Sequence, residues 1–326
     1  MPVLATPAYK PVWPLTNGHV HTVFPTLFRP TPPTSPIPRR IETPDGDFLD
    51  LDVHRASPQP AKTVVIISHG LEGNARKKYP LGMARAMNRM GYDALCLNFR
   101  GCSGEPNRLL RMYHSGVTDD LHTVIMHAIR TEGYERVFLV GFSMGGNQTL
   151  KYLGQDPRMV PPEVQGAVVF SVPCDLKGSA RVMDRPVNRI YMEYFMKGLR
   201  QKVRTKAAMF PGMIDTTGLE TIRTFSVFDD RYTAPLHGFR NALDYYTRAS
   251  CKPFLHAIDI PCLLVQARDD PFLSPSCYPV AFARANANLY LEIPRYGGHV
   301  GFHLPGKDNV YWLEKRASTF LKELVG

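Results

Sequence analysis

Short apolar runs of strand length alternate along this chain with longer segments whose apolar residues return every three or four positions. The strand-like runs fall at residues 63–68, 94–99, 137–140, 166–171, 262–266 and 289–293, and the helical periodicity at 79–90, 117–130, 145–154 and 313–324. Ahead of them, residues 39–53 alternate apolar and polar positions around the turn Pro44-Asp-Gly46, as an antiparallel hairpin does. A hairpin followed by alternating strands and helices predicts a mostly parallel sheet covered by helices on both faces, an α/β architecture.

Two stretches interrupt this rhythm. Residues 1 to about 45 are rich in proline, most densely at Pro30-Thr-Pro-Pro-Thr-Ser-Pro-Ile-Pro38, which disfavours helix and predicts an extended arm on the surface, anchored by Phe24, Leu27 and Phe28. Between about 173 and 259 no strand pattern occurs. Met183, Val187, Ile190, Tyr191, Tyr194, Phe195 and Leu199 recur there at helical spacing. Such a stripe packs into the core, roofs a pocket as an inserted cap, or does both with different faces.

A length of 326 residues with 44% hydrophobic and 21% charged residues fits one large domain with an insertion, or two ordinary ones. No apolar run reaches the roughly 18 residues needed to cross a bilayer. Residues 1–20 lack the basic, apolar and small-residue succession of a secretion signal, so a cytoplasmic protein is expected. The cysteines at 96, 102, 174, 251, 262 and 277 form no CxxC pair and no metal-spaced cluster, and read as reduced, mostly buried thiols. The net charge of +10 is scattered, with modest clusters at Arg76-Lys77-Lys78 and at residues 200–206. That distribution argues against a nucleic-acid module and for a solvated basic surface.

The chemistry concentrates at Val137-Phe-Leu-Val-Gly141-Phe-Ser143-Met-Gly145-Gly146-Asn147. A strand there runs into a turn that carries one serine between two glycines, and a helix follows. This is a nucleophile elbow, G-x-S-x-G, which exposes a hydroxyl that is otherwise a poor nucleophile. In such a sheet the partner acid and histidine follow beyond the carboxyl ends of later strands. The run Ala267-Arg-Asp269-Asp270-Pro271 supplies the acid, with Asp270 the first choice and Asp269 the alternative, because adjacent side chains diverge. His299 in Gly297-Gly-His-Val-Gly301 is the expected base. His303, His19 and His21 are poorer candidates, since no sheet strand places them. Two N–H groups must await the oxyanion: that of Met144, at the helix start, and that of Leu71, in Ser68-His69-Gly70-Leu71-Glu72-Gly73. His69 invites a metal reading without a second ligand at metal spacing, so neither metal nor cofactor is expected. Arg100, in Arg100-Gly-Cys-Ser-Gly104, sits at a strand end, where a structural contact with a carboxylate suits it better than catalysis. Asp229 and Asp230, in Phe228-Asp-Asp230, could cap a helix or pair with a base.

Together with Asn17-Gly-His-Val-His-Thr22, Asn98-Phe-Arg-Gly-Cys-Ser-Gly-Glu-Pro-Asn107, Tyr113-His-Ser-Gly116, Asp269-Asp-Pro-Phe272 and Gly297-Gly-His-Val-Gly-Phe302, these motifs resemble the α/β-hydrolase superfamily, and within it the YheT-like esterases. The resemblance covers nearly the whole chain. It implies an α/β-hydrolase fold with a helical cap at about 173–259, all within one domain, and a nucleophile, acid and base at Ser143, Asp270 and His299. The expected activity is hydrolysis of carboxylic esters with short to medium acyl chains through an acyl-enzyme. Acyl transfer or thioester cleavage by the same triad is the alternative, and a non-catalytic binding protein a lesser one. The expected partner is a small ester with an apolar acyl chain, with neither nucleic acid nor an integral membrane span. Oligomeric state stays open.

Overall fold

The strand-like runs resolve into one eight-stranded sheet, in the order β1-β2-β4-β3-β5-β6-β7-β8. The computed structural model of the chain describes residues 2–5, 9–59, 61–304 and 308–325. Its chain order is α1 (Gly18–Phe28), β1 (Ile37–Glu42), β2 (Phe48–His54), β3 (Thr63–Ser68), α2 (Lys78–Arg89), β4 (Asp93–Asn98), α3 (Asp119–Arg130), β5 (Arg136–Phe142) and α4 (Met144–Gln155). It continues with β6 (Val164–Phe170), α5 (Leu176–Met183), α6 (Arg189–Met209), α7 (Ala242–Ala249), β7 (Cys262–Val265), α8 (Val280–Ala285), β8 (Leu289–Glu292) and α9 (Trp312–Glu323), besides shorter helical turns. β1 and β2 pair antiparallel, as do β2 and β4, and the other neighbours run parallel.

The sheet is buried from both sides, which is why its central strands read as unbroken apolar runs rather than alternating ones. In β3, Val64 and Ile66 join the cluster under α3 and α4 with Leu121, Val124 and Leu150. Val65 and Ile67 point the other way, into Met83, Met87 and Phe320 of α2 and α9. Each such residue removed from water contributes about 1.5–3 kcal/mol.

The N-terminal arm departs from expectation. It contains α1, an eleven-residue helix with Pro25 inside it. Asn17 starts this helix by accepting from the N–H groups of His19 and Val20, which supplies the cap that the proline count concealed. Phe28 and Leu27 do not anchor it, for both are exposed. Phe24 is half-buried and meets the His303 ring at 4.9 Å, centre to centre, and His21, which is buried and accepts from the His303 N–H at 3.0 Å, fastens the arm beside it.

The stripe expected at 183–199 is likewise divided. Met183 ends α5, a turn at Pro186–Asn188 intervenes and carries Val187, and α6 carries the rest. Met192 and Met196 are buried, whereas Val187, Ile190 and Tyr194 face outward. The basic cluster at 200–206 is not wholly a solvated face either. Arg200 donates to the Ile222 carbonyl, and Lys206 donates to those of Asn107 and Leu109, both from buried positions. Burial with only neutral acceptors at its ammonium pushes Lys206 down to about 8. All six cysteines are free and buried.

Candidate active site

Ser143 sits between β5 and α4 with φ 52° and ψ −117°, a conformation that costs a non-glycine residue on the order of 1–3 kcal/mol. The surroundings over-determine it. A Cβ on Gly145 would lie 2.4 Å from the Ser68 carbonyl oxygen, and one on Gly141 would lie 2.6 Å from the Gly146 Cα. The glycines flanking the serine are therefore required by packing.

Around the hydroxyl, the loops after β7 and β8 converge. His299 Nε2 is 2.9 Å from Ser143 Oγ, and His299 Nδ1 is 3.1 and 2.9 Å from the two carboxylate oxygens of Asp270. Asp270 Oδ1 also accepts from the Phe272 N–H at 2.9 Å. The neighbouring Asp269 turns away and accepts from the Gly298 N–H, leaving its Oδ2 buried without a partner. Burial, reinforced by the Asp270 charge, pushes the Asp269 carboxyl up to about 6. Geometry thus separates the two aspartates: one faces the imidazole and the other braces the glycine loop.

Two contributors were not singled out by sequence reasoning. Thr22 of α1 accepts the His299 N–H on its Oγ1 at 2.8 Å, and the Phe272 ring lies 4.2 Å from that of His299, centre to centre. Their only signal was membership in the motifs at 17–22 and 269–272. His19 contacts Tyr191 rather than the serine, and His21 is structural.

The loop after β3 lies beside the serine. His69 is fully buried, with Nδ1 2.7 Å from the Gly70 carbonyl oxygen and Nε2 accepting from the Phe99 N–H. Burial pulls it down to about 4, so it is a neutral brace. No metal-binding group of histidine, cysteine, aspartate or glutamate occurs among the described residues. Leu71 and Met144 both line the cavity that contains Ser143 and His299. Among the described residues, neither the Leu71 nor the Met144 N–H has a hydrogen-bond acceptor. Glu72 fastens this loop: Tyr113 Oη donates to it at 2.5 Å, and Lys202 Nζ of α6 stands 3.6 Å away.

The cavity measures about 120 Å³ and is walled by Met112, Met183, Phe195, Leu199, Phe225 and Phe272 among others. Asp229 reaches it from a π-helical turn, Asp229–Thr233, and accepts from Thr233 Oγ1 at 2.6 Å and Tyr246 Oη at 2.7 Å. Asp230 accepts from the Ala242 N–H at the start of α7. Neither aspartate forms an ion pair with a basic side chain among the described residues. Arg100 lies away from the cavity, with its guanidinium on Asp45, Asp47 and Asp120. It ties the hairpin turn to α3, which is the structural role.

The family sequence model described as alpha/beta hydrolase fold matches residues 63–304. Among curated proteins, "Putative esterase YheT" of Escherichia coli (strain K12) is 35% identical over 96% of this chain and 92% of its own length. "Phospholipase ABHD3" of Homo sapiens is 30% identical over 92% of this chain and 75% of its own. Among solved structures, the Pyrococcus furiosus esterase Pf2001 superposes with a TM-score of 0.59 at 16% identity, covering 99% of this chain and 98% of that one. The last is a likeness of fold.

Proposed function

The chain belongs to the α/β-hydrolase family and is a hydrolase of that fold, and from this premise we propose that it cleaves carboxylic esters with short to medium apolar acyl chains through an acyl-enzyme on Ser143. One observation carries the reading: an unbroken chain of contacts from Asp270 through His299 to Ser143 Oγ, each near 2.9 Å, opens on an apolar cavity. In this mechanism His299 Nε2 takes the serine proton as Oγ attacks the carbonyl carbon. The Leu71 and Met144 N–H groups receive the oxyanion, and the protonated imidazole then returns its proton to the leaving alcohol. Water enters on the same base and resolves the acyl-enzyme. Asp270 fixes the tautomer and stabilises the imidazolium that forms.

Residues 173–259 act in this reading as a cap inserted into a single hydrolase domain, supplying the acyl-binding wall. The similarity to a phospholipase supports trying glycerolipid esters beside simple alkyl esters as first substrates. Labelling with a fluorophosphonate, with the modified residue located by mass spectrometry, tests the nucleophile. Modification confined to Ser143 and absent from Ser143→Ala is the expected result. Labelling elsewhere, or ester turnover surviving in that variant, overturns the proposal.

A further inference from the structure

We propose that the outward faces of α1 and α6 form a docking surface for an anionic lipid membrane, set beside the Ser143 site. Large apolar side chains are concentrated there in the open. Trp13, in the turn before α1, is 86% exposed, Leu27 63%, Phe28 66%, Val187 63%, Ile190 82% and Tyr194 57%. Val20, Val23 and Leu27 recur at the spacing that aligns one face of α1, and Val187, Ile190 and Tyr194 do the same along α6 and the turn before it.

The two stripes are stitched together. The His19 ring of α1 stacks on Tyr191 of α6. Between the helices, Lys78 Nζ donates to the Thr26 carbonyl of α1, and Lys77 Nζ reaches Tyr194 Oη at 3.3 Å. Tyr191 in turn packs its edge on Phe272, which covers His299, while Thr22 of α1 holds the His299 backbone. The apolar faces therefore lie one layer of side chains from the base.

Charge selects the occupant. The first 41 residues contain no aspartate or glutamate, and between 185 and 214 the sole carboxylate is Glu193, which Arg200 and Arg223 engage. Lys77 and Lys78, which reach Tyr194 and Thr26, and Arg185, Arg189 and Lys197 along the same segment add positive charge to this region. A second copy of the chain meeting it about a two-fold axis would set those cations against each other. An anionic bilayer instead takes Trp, Phe and Leu into its interface while its headgroups meet the lysines and arginines. The inference goes beyond the ester reading and does not depend on it, but it supplies a route by which a water-insoluble acyl chain reaches the cavity.

The test sediments the full chain with vesicles of phosphatidylcholine, with and without phosphatidylserine. Binding about tenfold tighter to the anionic vesicles is expected, with a blue shift of tryptophan emission that Trp13→Phe abolishes. The pair Leu27→Glu and Ile190→Glu should weaken binding by about tenfold or more. Thermal melting at the wild-type temperature shows that the double variant is folded, and its rate of Ser143 labelling in lipid-free buffer reads the site separately. Equal binding to both vesicles, or binding indifferent to the double variant, overturns the proposal. A dimer that the double variant splits does the same, in favour of a second copy. Vesicle binding without any ester turnover would leave the docking surface standing and sink only the ester reading.

Discussion

Two surfaces enclose the Ser143 cavity, and they are held in opposite ways. On the sheet side, position is enforced by the backbone. Glu72, Ser143, Ser171 and Val300, in the loops after β3, β5, β6 and β8, all take positive φ, between 52° and 58°. Among the described residues of the helical side, 176–257, only glycines do so: Gly212, Gly218 and Gly238. Long side chains fasten that side: Lys206 to two carbonyls, Lys202 to Glu72, His237 to the Met112 backbone and Tyr245 to the Ser115 N–H. Between these two surfaces, strain is thus confined to the one that carries the proposed reacting groups, whereas the one proposed to choose a substrate is tied by contacts that can be exchanged.

The largest effects should follow from the sheet side. Ser143→Ala should lower kcat for ester hydrolysis by about 10⁴–10⁶, and Asp270→Asn by about 10⁴ through the wrong imidazole tautomer, both without loss of fold by circular dichroism. A backbone test comes next. Gly145→Ala sets a methyl against the Ser68 and His69 carbonyl oxygens, at 2.4 and 2.5 Å. Urea unfolding should show about 3 kcal/mol lost or more. If it unfolds like wild type, the backbone around Gly145 yields to the added methyl and the sheet side is not rigidly held. On the helical side, Phe195→Ala should leave the melting temperature within a few degrees and shift the preferred acyl length, changing kcat/KM ratios by about tenfold between neighbouring chain lengths. An unchanged chain-length profile would remove Phe195 from the acyl wall.

The same contrast explains what could be read from the chain. Residues 63–68 and the elbow were legible because burial on both faces demands a solid apolar run, and a tight turn demands glycine at fixed offsets. Ser143, Asp270 and His299 were found by their places after strands, and the structure brings those three together. Asp270 was preferred over Asp269 from the sequence, immediately before Pro271, and it is the one that faces the imidazole; the brace that Asp269 makes to the Gly298 N–H was not legible, because it depends on which way the turn points a neighbouring side chain. The arm misled for another reason: a proline count weighs against helix, but Asn17 as a cap and the buried His21 outweigh Pro25. Thr22 could not have been found, since a threonine accepting one backbone N–H leaves no pattern. For Arg100 a carboxylate contact was legible from its place at a strand end, but its three partners were not, since Asp45, Asp47 and Asp120 come from separate segments.

The smallest effect distinguishes the two sides by pH. Asp269 and Asp229 both have carboxyls pushed up to about 6, chiefly by burial. An aspartate that titrates near 4 in the unfolded chain has released its proton there while the folded protein still holds it. Stability from this source is therefore complete below about pH 4 and is lost as pH rises through about 6. Asp269→Asn should remove that loss, because its Oδ1 bond to Gly298 survives and the amide replaces a carboxylate oxygen that has no partner. Above pH 6 the variant should be more stable than wild type by about 1–2 kcal/mol, with no difference at pH 4. Asp229→Asn should flatten its own share without the gain, since Tyr246 and Thr233 each donate to a carboxylate oxygen and the amide can serve only one of them. Urea titrations from pH 4 to 8 check both. Parallel curves for Asp269→Asn and wild type would mean that the fold does not raise the Asp269 carboxyl, and that the sheet side holds this buried charge at no cost.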